Sequence, residues 1–539
     1  MLDPITNDLS AHPAQGVTAA AGLSSGFGFL ESDEIAVDIA TREIASSDVY
    51  GCGQTVDAVL KPRDVERCAR AVGAAVKAGY TVIARGGGLS YTGGYLAEGA
   101  KTVVLDTSRL NRILEINPED MYIRVEVGVT WKQIYDALAP LGLRLPFFGT
   151  FSGARATVGG GLSNGALFLG TARYGTGADI VLGLEVARAD GQIITTGQLA
   201  FRHAQKPFYR TCGPDLTGLF LHESGALGVK LTATLRIMRT PQAVGFGSFV
   251  FDGMAAAGRA LSEVARSGAA EEAYVFDPET TRKNLQSHGL LSDTGVLLKV
   301  MRSENGLLKG LAAGARLVSA GRNFLPTDAF SLHVVCSGRS DAAVQADIAA
   351  IREICLSRGG QEIAESIPRA VRADLFPAPD GVLGAEGDRW AALNAKVAHS
   401  DAERIMQAAA KLLEPYQSRF AEEGIWMSHL LIAIGTHAFS FEPVFHWRDR
   451  WLPLHGHVLS AEAKTKLREP EANPRATALV HEARSKLVAL FAELGAASNQ
   501  LGKTYPYLSE LQAGTAEFVK DLKRVVDPTR QINPGALEL

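Results

Sequence analysis

The sequence predicts an α+β protein of two domains, and three observations predict it. The chain has 539 residues, more than one hydrophobic core commonly supports. From Val49 to about Thr240, short strand patterns alternate with helical ones. Beyond Pro241, helical stretches rich in Ala and charge take over, with a few apolar strands between them. Residues 1–48 are expected to form an N-terminal arm, 49–241 a first domain and 242–484 a second.

The elements follow in order. After Pro62, Val65, Cys68, Ala69, Val72, Ala75 and Val76 recur at helical spacing, and Gly79 stands where a helix C′ stop belongs. Tyr80–Ala84 reads as a buried strand running into Arg85. Thr102–Asp106 and Met121–Val127 are strand-like, and Thr130 with Gln133 forms a capping box that opens a helix to about Leu138. In the second domain helices are expected over Ala255–Ser267, Ala342–Arg358 and Arg389–Leu413, with strands over Leu332–Cys336 and His429–Ile434. A long helix over Arg475–Leu494 and a tail helix stopped by Pro528 complete the chain.

Composition narrows the function classes. The formal charge of −4 excludes a general nucleic-acid binder, which needs a basic surface. The five cysteines include no C-x-x-C pair and are odd in number, which argues against a disulfide framework or zinc ribbon and for a reducing, cytoplasmic setting. No apolar run approaches the roughly 18–20 residues that span a bilayer, and the N-terminus lacks the basic region of a secretory signal. A homodimer is the prior for quaternary structure.

The chemistry lies in glycine-dense segments. Arg85, Gly86, Gly87, Gly88, Leu89, Ser90, Tyr91 and Thr92 lead into Gly93-Gly94 directly after a predicted strand. Consecutive glycines let backbone N–H groups approach a ligand and form an anion nest, for which a diphosphate is the natural occupant. The segment is no Walker loop, because G-x-x-x-x-G-K is absent. Nor is it a dinucleotide G-x-G-x-x-G, because Tyr91 stands where the last glycine belongs. Taken alone it could also be a turn with no ligand. A second segment holds Thr157, Val158, Gly160, Gly161, Ser163 and Asn164, followed by Tyr174-Gly175. A third, Leu216–Val229, includes Glu223, Gly225, Gly228 and Val229.

Together these segments resemble the FAD-binding domain of the vanillyl-alcohol oxidase/p-cresol methylhydroxylase flavoprotein superfamily. Arg85–Gly94 is similar to its pyrophosphate loop, Ala156–Gly160 with Tyr174-Gly175 to its second flavin loop, and His222–Gly228 to its Gly-Ser-Glu-Gly-x-Leu-Gly box. Val526–Gly535, including Asn533, resembles the C-terminal Asp-Pro…Asn-Pro-Gly signature, so residues 485–539 are expected to return to the first domain. The resemblance implies a two-part FAD-binding domain with an α+β cap over the flavin ring. It implies FAD as cofactor, a small-molecule substrate, and oxygen or a protein or quinone as electron acceptor. Many members tie the flavin to a His in the first loop. Leu89 and Ser90 stand there instead, which excludes that linkage and leaves one from a cap residue open.

Two branches of chemistry follow from the resemblance. One oxidises D-2-hydroxyacids with a divalent metal held by His-x-Gly-Asp-Gly-Asn-x-His. The stretch Leu430–His437 keeps only His437, and Ser498–Gly502 lacks the second imidazole box, so no metal is expected. The other oxidises para-substituted phenols, with Tyr and Arg holding the phenolate. Tyr505 and Lys503 lie where that pair belongs and could bind a phenolate or carboxylate; either could also be a surface or core residue. Candidate bases are His429, His437 and His446, with His429 and His437 on one face if their strand is unbroken. A strand histidine can equally be a hydrogen-bonded core residue, and His455-Gly-His457 reads as a solvated turn. The leading expectation is a metal-independent FAD oxidase or dehydrogenase that removes a hydride from an alcohol or benzylic carbon of a 4-hydroxybenzyl-type substrate. A D-2-hydroxyacid dehydrogenase and a non-catalytic flavin-binding protein are the alternatives.

Overall fold

The computed structural model describes residues 26–281, 328–378, 380, 383–465 and 468–539. Two sheets build the first domain. In the smaller, strands Ala58–Leu60, Thr102–Asp106 and Thr81–Arg85 lie parallel in that order, with Ile35–Ala36 antiparallel at one edge. The middle strand, Thr102–Asp106, carries Val103, Val104 and Leu105 fully buried, as a parallel strand covered on both faces requires. Helix Val65–Lys77 covers one face. Asp64 accepts the Arg67 N–H at 2.7 Å as its N-cap, and Gly79 follows its end at φ 76°.

The larger sheet of this domain is antiparallel, ordered Ile113–Asn117, Tyr122–Glu126, Val229–Arg236, Val181–Ala187, Ile193–Thr195. The expected capping box is present. Gln133 N–H donates to Thr130 Oγ1 at 3.2 Å and Thr130 N–H donates to Gln133 Oε1 at 2.8 Å, which starts helix Trp131–Leu138.

Ala243–Phe251 opens the cap, an antiparallel sheet ordered Gln361–Glu362, Ala243–Phe251, Phe330–Gly338, Glu272–Phe276, Trp426–Ile434, Ala438–Arg448, Asp388–Ala392, with Ala395–Val397 also on Ala438–Arg448. Helices Met254–Ser267, Asp341–Ser357, Ala402–Leu413 and Pro474–Glu493 pack into one apolar core with one face of this sheet.

Three expectations need correction. Residues 26–48, expected within an arm, are folded: Phe27 and Glu34 are buried, and Ile39–Ala45 is a helix capped by Asp38. Residues 1–25 lie outside the described residues. The region expected as one helix over Arg389–Leu413 is two strands followed by a helix that begins only at Ala402. Its alanines favour a helix locally, but Ala391, Ala392 and Leu393 are fully buried in the sheet, and tertiary burial overrides propensity. The return to the first domain begins after helix Pro474–Glu493, whose Ala483, Leu487 and Phe491 still belong to the cap core, and not within that helix at residue 485.

Candidate functional site

A cavity opens where the three glycine segments converge. Of the residues singled out in sequence, Arg85, Gly86, Gly87, Gly88, Leu89, Ser90, Thr157, Gly160, Gly161, Ser163, Asn164, Gly225 and Gly228 line it. The glycines are sterically required. A Cβ on Gly86 would overlap Thr157 Oγ1, one on Gly87 would overlap the Arg155 carbonyl, and one on Gly161 would reach Trp131. The two loops therefore touch backbone to backbone and leave their N–H groups along the cavity wall. Thr157 caps the short helix Val158–Asn164, accepting the Gly160 N–H at 3.3 Å.

Charge and unpartnered polar atoms fit the same wall to an anionic, polar ligand. Its lining carries two cations, Arg85 and Lys230, and no carboxylate. Among the described residues Arg85 Nε, Asn164 Oδ1 and Trp131 Nε1 are buried without a hydrogen-bond partner, and such groups call for one. Arg155 adds a third cation beside the first loop, donating to the Gly87 carbonyl at 3.1 Å. A diphosphate with an attached polar ring system satisfies these groups; FAD is such a molecule.

Other residues expected at the cofactor stand one step back. Glu223 lies outside the lining: it pairs with Lys230 in a buried ion pair and accepts the Leu227 N–H at 2.9 Å, while Lys230 also donates to Ser163 Oγ at 2.8 Å. Asn533 lies below the cavity, its amide donating to the Gly94 carbonyl at 2.7 Å and the Ser224 carbonyl at 2.6 Å. The Asn-Pro-Gly turn thus ties two glycine segments together. Val158 and Val229 are core residues, and Tyr174-Gly175 ends a helical turn, with Tyr174 beneath the Arg144 guanidinium. Tyr91 turns away toward the cap, where it meets Trp390 edge-on at 4.7 Å between ring centres.

Tyr91 leads into a second, buried polar cluster. Gln500 lines the cavity and donates to the Tyr91 hydroxyl at 2.9 Å. The Tyr505 hydroxyl accepts the backbone N–H of Asn394 at 2.7 Å, and the Asn394 amide donates to the Glu442 carboxylate. Asn394 occupies the gap between strands Asp388–Ala392 and Ala395–Val397. Ala392 stands opposite Val444 and Ala395 opposite Phe441, so the register sets Asn394 opposite Glu442. Arg484, from helix Pro474–Glu493, donates to the Tyr91 and Ala392 carbonyls at 3.2 and 3.4 Å and stacks over Tyr50. Burial pushes the Tyr505 phenol up to about 12 and the Glu442 carboxyl up to about 7.

The remaining catalytic candidates lie elsewhere. His429 sits on the helix-covered face of the cap sheet, with its backbone N–H on Asp277 Oδ2 at 2.8 Å and its ring Nδ1 3.1 Å from the same oxygen. His446 stacks on Trp426 and hydrogen-bonds Ser428 at 2.8 Å. His437 does not share a strand face with His429: the strand ends at Ile434, and His437 is exposed in the turn before Ala438. Lys503 Nζ points to the Leu96 carbonyl at 2.9 Å and to Glu98, away from Tyr505. His455 is no solvated turn residue but fully buried, accepting the Leu452 N–H.

Sequence reasoning gives no site role to Lys230, Trp131, Gln500 and Asn394, and reaches Glu442 only within Phe441–Arg450, whose aromatics and charge suit a substrate pocket or equally a loop packed on the cap. Lys230 had a legible signal, a lone charge directly after Gly228-Val229 in an apolar strand. Asn394 had none, since only the cap register brings it opposite Glu442.

Comparison with known proteins agrees with this geometry. Residues 56–197 match a family model described as an FAD binding domain. The mitochondrial D-lactate dehydrogenase [cytochrome] of Kluyveromyces lactis is 31% identical over 216 residues, which is 38% of this chain and 36% of that protein. The match thus spans little more than a third of that relative. Over nearly the whole chain, p-cresol methylhydroxylase superposes with TM-score 0.69 at 17% identity, covering 96% of both chains. The 4-ethylphenol oxidase of Gulosibacter chungangensis superposes with TM-score 0.69 at 19% identity, covering 97% of both. A glycine-lined cavity with two cations and no carboxylate and a matching FAD binding domain agree that the cofactor is FAD: residues 56–197 form an FAD binding domain, and the chain shares the fold of p-cresol methylhydroxylase and 4-ethylphenol oxidase.

Proposed function

We propose that the chain is an FAD-dependent oxidoreductase that removes a hydride from an alcohol or benzylic carbon of a small aromatic substrate of the 4-hydroxybenzyl type. The observation that carries this reading is the buried cluster of Tyr91, Tyr505, Asn394 and Glu442, joined to the cofactor cavity through Gln500. When bound, FAD supplies the two-electron acceptor for the hydride. Arg85 and the first-loop N–H groups would hold its diphosphate, Lys230 and Asn164 would meet its polar ring system, and Gly86, Gly87 and Gly161 would leave room for it against backbone. Tyr91 and Tyr505 supply hydroxyls to orient a substrate oxygen, and Trp390 beside Tyr91 supplies an aromatic wall.

A second reading is oxidation of a D-2-hydroxyacid, as the name of the Kluyveromyces lactis relative states for that protein. It is favoured by sequence likeness, which covers 38% of this chain. Turnover of vanillyl alcohol and of D-lactate by the purified protein, each with and without a chelator, separates the two. Faster, chelator-insensitive oxidation of vanillyl alcohol supports the first reading; faster, chelator-sensitive oxidation of D-lactate replaces it with the second. Oxygen uptake during turnover, against reduction of an added quinone, identifies the electron acceptor.

A further inference from the structure

We propose that Glu442 is the proton acceptor of this reaction and that Asn394 positions it. The inference rests on the oxidoreductase reading above and assigns the proton, which that reading leaves unplaced. Three observations carry it.

The first is orientation. Side chains alternate along Ala438–Arg448, and Phe439, Phe441 and Phe445 enter the helix-packed cap core. Glu442 therefore faces the other way, toward the first domain, between its cross-strand neighbours Leu430 and Asn394. The histidines are placed less well for the task. His429 faces the cap core side and is engaged by Asp277, and His437 is in an exposed turn.

The second is how the carboxylate is held. Asn394 Nδ2 donates to Glu442 Oε2, and among the described residues no cation pairs with Glu442. An amide fixes one oxygen without neutralising the charge, which leaves Oε1 as a basic site. The titratable groups facing it are Tyr91 from the glycine loop and Tyr505 from the C-terminal return; Arg484 from helix Pro474–Glu493 acts on both of those tyrosines. The strand Trp426–Ile434 presents Leu430, which carries no charge.

The third is proton affinity. Burial raises the carboxyl to about 7, while the Asn394 hydrogen bond pulls it down. A base is most effective when its pKa lies near the working pH. In the proposed step the substrate O–H bond breaks, its electron pair stays on the substrate oxygen, and the proton forms a bond to Glu442 Oε1. The step balances without an oxidant.

The test compares the FAD-loaded wild type with Glu442→Gln and Glu442→Asp. The visible spectrum reports FAD content, stopped-flow mixing with vanillyl alcohol and with D-lactate reports flavin reduction, and infrared spectroscopy reports the protonated carboxyl. Equal FAD content in all three is expected, with reduction slowed on the order of 10²-fold or more in Glu442→Gln and partly restored in Glu442→Asp. The wild-type rate should climb with pH through about 7, and Glu442→Gln should lose that limb. The difference between the wild-type and Glu442→Gln spectra should show a carboxylic-acid band that fades over the same range, the bands of Asp48 and Glu272 cancelling because both proteins carry them. Equal reduction rates and pH profiles in wild type and Glu442→Gln overturn the inference alone, as does a difference spectrum between the two without a carboxylic-acid band. A wild-type flavin that neither substrate reduces overturns the oxidoreductase reading, and this inference with it.

Discussion

Gln500 Nε2 donates to the Tyr91 hydroxyl at 2.9 Å, across 409 positions of sequence. This bond joins a residue within the first glycine loop to the C-terminal return, and Gln500 itself borders the cofactor cavity. The loop tyrosine is thereby held toward the cap while its neighbours Leu89 and Ser90 face the cavity. On the proposed reading, one hydrogen bond couples the cofactor cavity to the tyrosine that would orient a substrate oxygen.

Replacing Gln500 by Leu removes the donor and leaves a buried phenol short of a partner. A net cost of about 1 kcal/mol in the unfolding free energy is expected, with a displaced flavin absorbance maximum because the cavity wall changes. Urea unfolding and the visible spectrum of the loaded protein check this. Unchanged values for both would show that the bond does not order the site.

Gly86 tests the loop-to-loop contact. A Cβ there would overlap Thr157 Oγ1, whereas Gly99, in the same region of the chain, has open space around it. Gly86→Ala should purify with little or no flavin, and Gly99→Ala should remain as yellow as the wild type. Full flavin content in Gly86→Ala would contradict the close packing of the two loops.

The Glu223–Lys230 pair is buried at both ends, each side chain 3% exposed. Glu223→Gln leaves the ammonium without its counter-charge, and breaking such a pair costs roughly 3–5 kcal/mol. The denaturant midpoint should fall accordingly, and FAD affinity should fall with it, since Lys230 lines the cavity. A variant with wild-type stability would mean that Lys230 does not depend on Glu223.

Asp48 supplies a pH dependence. Its carboxylate accepts N–H bonds from Tyr50, Gly51 and Gly93, yet burial raises it to about 6, the hydrogen bonds pulling the other way. The folded chain binds this proton more tightly than the unfolded one. Asp48 therefore contributes stability that is present below its unfolded pKa of about 4 and lost as pH rises through about 6. Its share of the slope is at most about 1.4 kcal/mol per pH unit. Unfolding free energies measured across this range should decline less steeply in Asp48→Asn; an identical slope would refute the assignment.

The parts of the fold legible in sequence were those set by local chemistry. The Thr130–Gln133 box, the Gly79 stop and the glycine loops state their geometry in neighbouring residues. Distant pairing was not legible. Ala391 and Ala392 look helical until Val444 and Phe445 are known to lie beside them, and Asn394 looks unremarkable until the same register sets it opposite Glu442. The placement of the histidines was not legible for a related reason. An imidazole has the right intrinsic pKa for a base, but His429 faces the packed side of the sheet and His437 lies beyond the strand end. Glu442, the proton acceptor proposed above, is brought to about 7 by burial that no local pattern encodes.

The most direct test of the central claim is the visible absorbance spectrum of the purified chain, taken before and after anaerobic addition of vanillyl alcohol, with D-lactate as the second arm. The account predicts the bands of oxidised flavin in the native protein and their bleaching by the alcohol without any added metal. A colourless protein, or flavin bands that neither substrate bleaches, would contradict it.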